Sequence, residues 1–335
     1  MHMPLLNRRR AHALIVGITL APALSVAQAV WPSKPVRIVV AFAPGGFAGL
    51  LARTLAPELQ AAFGQPFVVD HVAGAGGIVG SAQVARLRGD SHTLLMATVG
   101  THAINASLQP NLPYDPLKDF VPVTLVAEAP HLLVMNAAKA REYGIRSLQD
   151  FIRYAKAHPG ALNMGSSGNG TSSHLAGELF KRMTATHMVH FPYRGTAPAL
   201  LDLLAGNMDL MFDTVPSSLP HIRSGMLTAF AVATTSRCQA VPEVPTMEEV
   251  GGAALKGYRA SAWWGLVAPA GIPADVATRL QQEVAKALRS PALSQWLLSE
   301  GAIPGGMTSA DFARYIAAEI KMWAGVVKLS GAKVD

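Results

Sequence analysis

Short runs of continuous apolar residues alternate along this chain with longer amphipathic stretches, the rhythm of strands and helices in an α/β protein. Val36-Arg37-Ile38-Val39-Val40-Ala41 reads as a buried strand that stops at Pro44-Gly45-Gly46. Leu50, Leu51, Leu55 and Leu59 then recur at helical spacing and predict a helix from about Phe47 to Phe63. A strand at Phe67–Asp70, a glycine turn at 73–77, a helix to about Arg86 and a strand at Thr93–Ala97 follow. Phe120–Ala127 and His131–Asn136 read as two long strands held apart by Pro130, because proline donates nothing to a ladder.

A second series begins there. Ser147 is placed to cap a helix running through Ala157, and 161–164 is a short strand leading to a helix from Leu175 to about Met183. Strands at Met188–Tyr193, Met208–Asp213 and Leu227–Thr234 alternate with helices at Ala197–Ala205 and near Ser218–Ser224. A proline-containing loop at Cys238–Pro245 separates them from a strand at Ala262–Ala268 and two closing helices, Ala274–Arg289 and Ser309–Ser330. The alternation predicts α/β layers around largely parallel sheets. No flexible linker divides the chain, and the two candidate crossings, near Val126–Leu133 and Tyr258–Val267, are themselves strand-like. The predicted organisation is two lobes with a cleft and a hinge between them: residues 30–130 with 256–335, and residues 131–255.

The first 29 residues stand outside this pattern. Asn7-Arg8-Arg9-Arg10 is a positive segment, Ala13–Val26 is apolar, and Ala27-Gln28-Ala29 reads as a cleavage site. The apolar run is shorter than a membrane span, so it predicts an export signal and a periplasmic mature protein. Its loss removes three arginines and no acids, which lowers the formal charge of the 335-residue chain from +7 to +4. That balance suits an anion ligand. The scattered lysines and arginines, without aromatic interleaving, argue against nucleic acid. The single cysteine, Cys238, forms no internal disulfide and builds no metal cage.

The chemistry is concentrated in glycine- and hydroxyl-rich turns between strands and helices, at 44–49, 165–173 and 194–196. Gly165-Ser166-Ser167-Gly168-Asn169-Gly170-Thr171-Ser172-Ser173-His174 is the most pronounced. A strand turning through such residues into a helix aims several N–H groups and the positive end of a helix dipole at one spot, which suits an anion. The ten residues include no acid, lysine or cysteine, which favours holding an anion over reacting with it. The glycines of 74–80 fall at G-x-G-x-x-x-G after the second strand, so they predict helix–sheet packing and no nucleotide. His174 and Glu178 are four residues apart and His187 and His190 three apart, neither a complete zinc set, so neither metal nor cofactor is expected. No G-x-S-x-G elbow occurs, and Ser166 and Ser167 have no recognisable base partner. His174 is expected to cap or line the turn. Asp213 ends a strand, where it would either orient a ligand ammonium or water, or cap the next helix. Trp263-Trp264 is read as core and hinge packing.

Trp31-Pro32-Ser33-Lys34-Pro35-Val36-Arg37, with Pro44-Gly45-Gly46 after it, resembles the mature start of the Bug family of periplasmic solute receptors, which serve tripartite tricarboxylate transporters. The resemblance continues through Gly74–Gly77, Leu112–Phe120, Pro122–Thr124, Gly168–Glu178, Pro192–Gly195, Pro198-Ala199, Trp264–Leu266 and Ala268–Gly271, and so spans nearly all of 31–335. It implies a two-lobed periplasmic binding protein fold of type II, the Venus-flytrap arrangement, with a mixed, largely parallel sheet in each lobe. It implies a monomeric, non-enzymatic receptor without cofactors that closes on a small organic anion: a carboxylate, a dicarboxylate or an amino acid. The partners it implies are the membrane components of a tripartite tricarboxylate transporter; a membrane sensor is the alternative, and a periplasmic hydrolase on the same fold is a remoter one.

The family's ligand loops map onto Pro44, Gly45, Gly46, Phe47, Ala48 and Gly49, then onto Thr98, Thr101 and His102. In the second lobe they map onto Ser166, Ser167, Gly168, Asn169, Gly170, Thr171 and Ser172, with Arg194, Gly195, Thr196 and Asp213. Two departures stand out. Gly49 occupies the aspartate position of a P-G-G-x-x-D pattern, next to Phe47 where a small or hydroxyl residue is common. His71-Val72 stands where an Asn-Arg pair or similar is common. Loss of the acid leaves a helix N-terminus less compensated, which predicts a ligand lacking an ammonium group or bearing an apolar portion.

Overall fold

The computed structural model describes residues 31–332 and, in the leading stretch, His2 alone; the export signal read at 1–29 lies outside the described residues. The first half comprises β1 (Val36–Val40), α1 (Phe47–Phe63), β2 (Phe67–His71), α2 (Ile78–Ala85), β3 (Thr93–Thr98), a π-helical turn at Gly100–Ile104 running into α3 (Asn105–Leu108), and β4 (Phe120–Asn136). Then come α4 (Ala137–Glu142), α5 (Leu148–Ala157), β5 (Asn163–Ser166), α6 (Ser172–Thr184), β6 (Val189–Pro192), α7 (Thr196–Leu204), β7 (Leu210–Thr214), α8 (Val215–Arg223) and β8 (Leu227–Val232). The chain closes with α9 (Met247–Gly251), β9 (Ser261–Pro269), α10 (Ala274–Leu288), α11 (Pro291–Ser299), β10 (Ile303–Pro304) and α12 (Ser309–Ser330).

The fold is α/β and two-lobed, each lobe built on one mixed sheet. The first sheet runs β2-β1-β3-β9-β4 with β10 added to β4; β1, β2 and β3 are parallel, and β9 is antiparallel to both β3 and β4. The second runs β8-β4-β7-β5-β6, with β4 antiparallel to β7 and β8 and the β5 pairs parallel. β4 therefore belongs to both. Its first part, to Pro130, pairs with β9, and from His131 onward it pairs with β7 and β8. The two strands predicted on either side of Pro130 are thus one strand of 17 residues. Pro130 is tolerated because it sits where the partners change: the neighbouring His131 N–H finds the Ala260 carbonyl at 3.0 Å.

The direction of β4 sets the cleft. It runs parallel to β3 in one sheet and antiparallel to β7 in the other, so Thr98 and Thr214, at the carboxyl ends of β3 and β7, both come to the changeover. Ligands in open α/β sheets bind outside carboxyl ends of strands. Here two sets of such ends face each other.

Each sheet carries its own apolar packing. Leu51, Leu55 and Leu59 of α1, Leu280 and Val284 of α10, and Phe312 and Ile316 of α12 cover the first. In the second, Phe151, Phe180, Phe212 and Tyr258 fill one core, while Leu200, Leu203, Leu219 and Val232 fill another. The helical spacing in α1 and the Ser147 cap of α5, whose Oγ accepts from the Asp150 N–H at 3.1 Å, follow the sequence reading. The helices α3, α4, α9 and α11 do not appear in that reading. They are four to nine residues long, too short for a periodicity to register.

Asn136 closes β4. Its Oδ1 accepts from the Ala138 and Lys139 N–H groups at 3.0 and 3.1 Å, and its Nδ2 donates to the Leu203 and Leu204 carbonyls at 2.9 and 3.2 Å. Asn136→Ala removes a helix cap and strands buried carbonyls, and is expected to lower unfolding free energy by about 2–3 kcal/mol in urea titrations.

Candidate functional site

A cleft with about 550 Å³ of empty space, solvent mouth included, lies at the changeover of β4. Both sheets supply it. Phe42, Gly46, Phe47, Ala48, Thr98, Val99 and Gly100 come from the loops after β1 and β3, and Ala262, Trp263 and Trp264 from β9. Facing them are His131 of β4, Ser167, Thr171, Ser172 and Ser173 at the head of α6, Thr196 of α7, and Asp213, Thr214 and Ser217 around the β7–α8 junction.

Four helices, α1, α6, α7 and α8, begin at this cleft, each after a strand that ends there. None has an acidic residue in its first turn. Three of the four, α1, α7 and α8, have no side-chain cap. Elsewhere, Asn136, Ser147, Thr246, Ser290 and Thr308 cap helices, and α5, α9, α10 and α12 carry acids in the first turn. At the cleft, N–H groups and partial positive charge are left for something else to neutralise. Among the described residues that line the cleft there is no lysine or arginine.

The walls are aromatic. Phe47 packs edge-on against Trp264 at 4.9 Å between ring centroids and stacks on Trp296 at 6.1 Å. The Trp263 indole donates to Glu319 at 3.0 Å behind the wall. The tryptophan pair therefore packs the core, as expected, and also bounds the cleft.

The loops of the two lobes touch. The Ala43 N–H donates to the Arg194 carbonyl at 3.0 Å. Gly195 has φ +140°, and a Cβ there would stand 3.2 Å from the Ala43 nitrogen. Gly168 has φ +128°, and a Cβ would meet the Tyr193 carbonyl at 2.8 Å. These backbone conformations and approaches are open to glycine alone.

Of the positions carried over from the ligand loops, the structure brings Gly46, Phe47, Ala48, Thr98, Ser167, Thr171, Ser172, Thr196 and Asp213 to the cleft lining. The others shape it from behind or from the rim. Pro44, Gly45 and Arg194 are exposed, and Arg194 contributes its carbonyl to the interlobe bond. Gly195 supports that contact. Thr101 is fully buried, its hydroxyl accepting from the Thr98 N–H at 3.0 Å, and it holds the turn after β3 in shape. His102 turns into the core against Phe120, with ring centroids 4.6 Å apart. Gly168, Asn169 and Gly170 form the far side of the turn, packed against Gly76 and Asn105. Gly49 points away from the cleft: a Cβ there would meet the His71 ring at 2.8 Å. His71 in turn bonds through Nδ1 to the Phe42 carbonyl at 2.9 Å. The two departures in the sequence are thus neighbours, and any influence of Gly49 on the cleft runs through His71 and Phe42.

Ser166 does have a base partner, contrary to the sequence reading: its Oγ lies 2.6 Å from His190 Nε2. The pair is sealed inside the turn, with Ser166 fully buried and neither residue lining the cleft. His190 stacks on His174 at 4.1 Å with planes 8° apart. The ligand atoms of His174, Glu178 and His190 lie within 4.8 Å of one another. Two parallel rings share no point in the plane of both, so their lone pairs do not converge on one ion. Lys181 instead holds Glu178, at 2.6 Å, and the Gly170 N–H donates to His174 Nδ1 at 3.3 Å. His174 therefore ties the turn down. Asp213 is not a helix cap, since Thr214 occupies that place in α8; its Oδ2 accepts from the Ser218 hydroxyl at 2.8 Å.

His131, Ser173 and Ser217 are lining residues that the sequence did not single out. The one available signal for His131 was its position at a predicted crossing between lobes. It is 1% exposed, and neither ring nitrogen has a hydrogen-bond partner; the Ser173 hydroxyl is likewise unpartnered. Burial pushes the His131 imidazole down to about 4, offset in part by the nearby Asp213 backbone. Burial pushes the Asp213 carboxyl up to about 7, against the Ser218 and Thr214 hydrogen bonds.

A two-lobed fold with a cation-free, N–H- and hydroxyl-lined cleft defines a solute-binding protein of the periplasmic type. The family model for the "Tripartite tricarboxylate transporter family receptor" matches residues 51–331, and the chain belongs to that family. It is similar to Protein BugT of Bordetella pertussis, with 36% identity covering 96% of this chain and 97% of BugT. Among solved structures it is similar to R. palustris Rpa4515 with adipate, at TM-score 0.86 and 36% identity, covering 91% of this chain and 100% of the other. It is also similar to MatC from Rhodopseudomonas palustris with bound malate, at TM-score 0.83 and 33% identity, covering 89% and 100%.

Gly49→Asp must displace the His71 ring, and is expected to lower unfolding free energy by about 1–3 kcal/mol through overpacking. In a double-mutant cycle with His71→Ala, most of that loss is expected to be recovered. A second expectation concerns pH. Burial lowers His102 and His174 to about 3 and His131 and His190 to about 4. Unfolded imidazoles protonate near pH 6.5 while these stay neutral, so each withdraws on the order of 1.4 kcal/mol per pH unit as pH falls from 6.5 towards 4. Asp213, raised from 3.8 to about 7, acts oppositely and loses stabilisation as pH rises through 7. The urea midpoint is expected to be markedly lower at pH 5 than at pH 7.

Proposed function

We propose that this protein is an exported receptor that captures a small organic anion between its two lobes and delivers it to the membrane components of a tripartite tricarboxylate transporter. The observation that carries this reading is the set of four helix N-termini at the cleft without acid or lysine to neutralise them. An anion completes such a site. Adipate and malate in the two relatives' structures support a carboxylate, and their two acidic ends favour a dicarboxylate of four to six carbons.

In this reading the lobes are residues 30–130 with 256–335, and residues 131–255, hinged where β4 and β9 pass between them. Export rests on the signal-like first 29 residues. Among the described residues, no helix is long and apolar enough to cross a membrane. The receptor does no chemistry on its ligand: the one serine–histidine pair near the turn is buried away from the cleft, and burial holds His190 down at about 4, a poor base at neutral pH.

Hydrogen bonds to a charged group contribute roughly 1.5–3 kcal/mol each, so four or five reach the scale of micromolar affinity, about 8 kcal/mol, once ordering and closure are subtracted. Contacts to both lobes supply the differential affinity that favours the closed state.

Calorimetry of the mature chain with succinate, malate and adipate is expected to give micromolar binding for at least one, with compaction in small-angle scattering. Ser172→Ala and Thr196→Val are each expected to weaken it about tenfold, one hydrogen bond's worth. Absence of binding to every organic anion tried would overturn the reading.

A further inference from the structure

The helix ends account for one carboxylate and leave two buried groups unexplained. His131 faces the cleft with both ring nitrogens unpartnered, a state that a buried polar side chain holds only where a ligand or water is to meet it. Its backbone is pinned in a closed ring of hydrogen bonds: the His131 N–H to the Ala260 carbonyl at 3.0 Å, the Ala260 N–H to the Ala233 carbonyl at 3.1 Å, and the Ala233 N–H back to the His131 carbonyl at 2.8 Å. The imidazole is therefore a positioned group. Asp213 lies next to it across the ladder, since His131 pairs with Thr214 and Leu132 with Asp213. Apart from the Ser218 hydroxyl, no side chain is bonded to its carboxylate.

We propose that His131 and Asp213 form the specificity-determining subsite for the far end of the ligand, one that accepts a second carboxylate together with one proton from solvent. The proposal rests on the carboxylate-receptor reading above. In the bound state the neutral His131 donates its N–H to the second carboxylate. Asp213 takes up the proton and donates its O–H to the same group, so two like charges never share the pocket. A ligand whose far end is a methyl group offers nothing for either to bond and takes up no proton.

The surroundings contain nothing else that could titrate in their place. From α8 come the hydroxyls of Ser217 and Ser218, from α6 those of Ser172 and Ser173, from β9 Ala262 and the Trp263 indole, and from α1 Phe47. Behind the indole lie Glu319, bonded to its nitrogen, and Glu128, which pairs across the ladder with Trp263. With Asp213 raised to about 7, the free protein carries an ionised carboxylate at pH 8 and a protonated one at pH 6. Proton uptake is therefore large at the first pH and small at the second.

The test is calorimetry with adipate and with hexanoate, its monocarboxylate counterpart of equal length, in buffers of different ionisation enthalpy. Adipate is expected to bind with uptake of about one proton at pH 8, falling towards none at pH 6, and with affinity dropping up to tenfold per pH unit above 7. Hexanoate is expected to show neither effect. Asp213→Asn should abolish the uptake and the pH dependence while keeping adipate affinity at pH 8. His131→Leu should weaken adipate at least tenfold and leave hexanoate unchanged, with partial recovery in His131→Gln. Adipate binding at pH 8 without proton uptake in the wild-type protein, or equal weakening of both ligands by His131→Leu, would overturn the proposal while leaving the receptor reading intact. Failure of every carboxylate to bind would overturn both.

Discussion

A single strand belongs to both sheets, and the rest of the molecule follows from that sharing. β4 exchanges β9 for β7 and β8 between Pro130 and His131. Because it runs parallel to the central strands of one sheet and antiparallel to those of the other, the carboxyl ends of both sets face each other. A helix that follows a strand starts where the strand ends, so α1, α6, α7 and α8 all begin at the same gap. The hydrogen-bonded ring through His131, Ala233 and Ala260 ties the backbone segments at that point. It lets the lobes pivot about a defined line while one side chain stays aimed into the cleft.

The electrostatics of the cleft are achieved by omission. Helices elsewhere are capped by side chains or preceded by acids, whereas those at the cleft are left open. A lysine or arginine there would hold any anion and cost little specificity to lose. Oriented N–H groups and hydroxyls hold only an anion of fitting shape, and they become strong only once water is excluded. Closure of the lobes and binding of the anion are therefore one event. The aromatic wall of Phe47, Trp263 and Trp264 suits the carbon chain of a ligand with polar ends, in keeping with the apolar portion anticipated from Phe47.

Much of the architecture was legible in the chain. The helix over 47–63, the Ser147 cap and the glycine–hydroxyl turn at 165–173 are local features, set by spacing and by hydrogen bonds within a few residues. The family resemblance rests on such local segments and agrees with the family match. The strand broken at Pro130 was misread because the consequence of a missing N–H depends on which partner lies opposite. Arg194, His102 and Gly49 show a similar limit. Each lies in a segment that does build the cleft, yet the direction of its side chain is decided by neighbours far away in sequence: Phe120 for His102, and His71 for Gly49.

The sequence by itself determined the alternation of elements, the two-lobed class and an anion-seeking chemistry, because each is written in periodicity, turn residues and the absence of nearby charge. The tertiary structure alone decided which residues of each loop meet the ligand, that Ser166 and His190 pair within the turn, and that His131 and Asp213 share one end of the cleft. Those facts depend on strand register and on the approach of two lobes. Contacts between residues dozens of positions apart leave no pattern in the chain until the sheet that joins them exists.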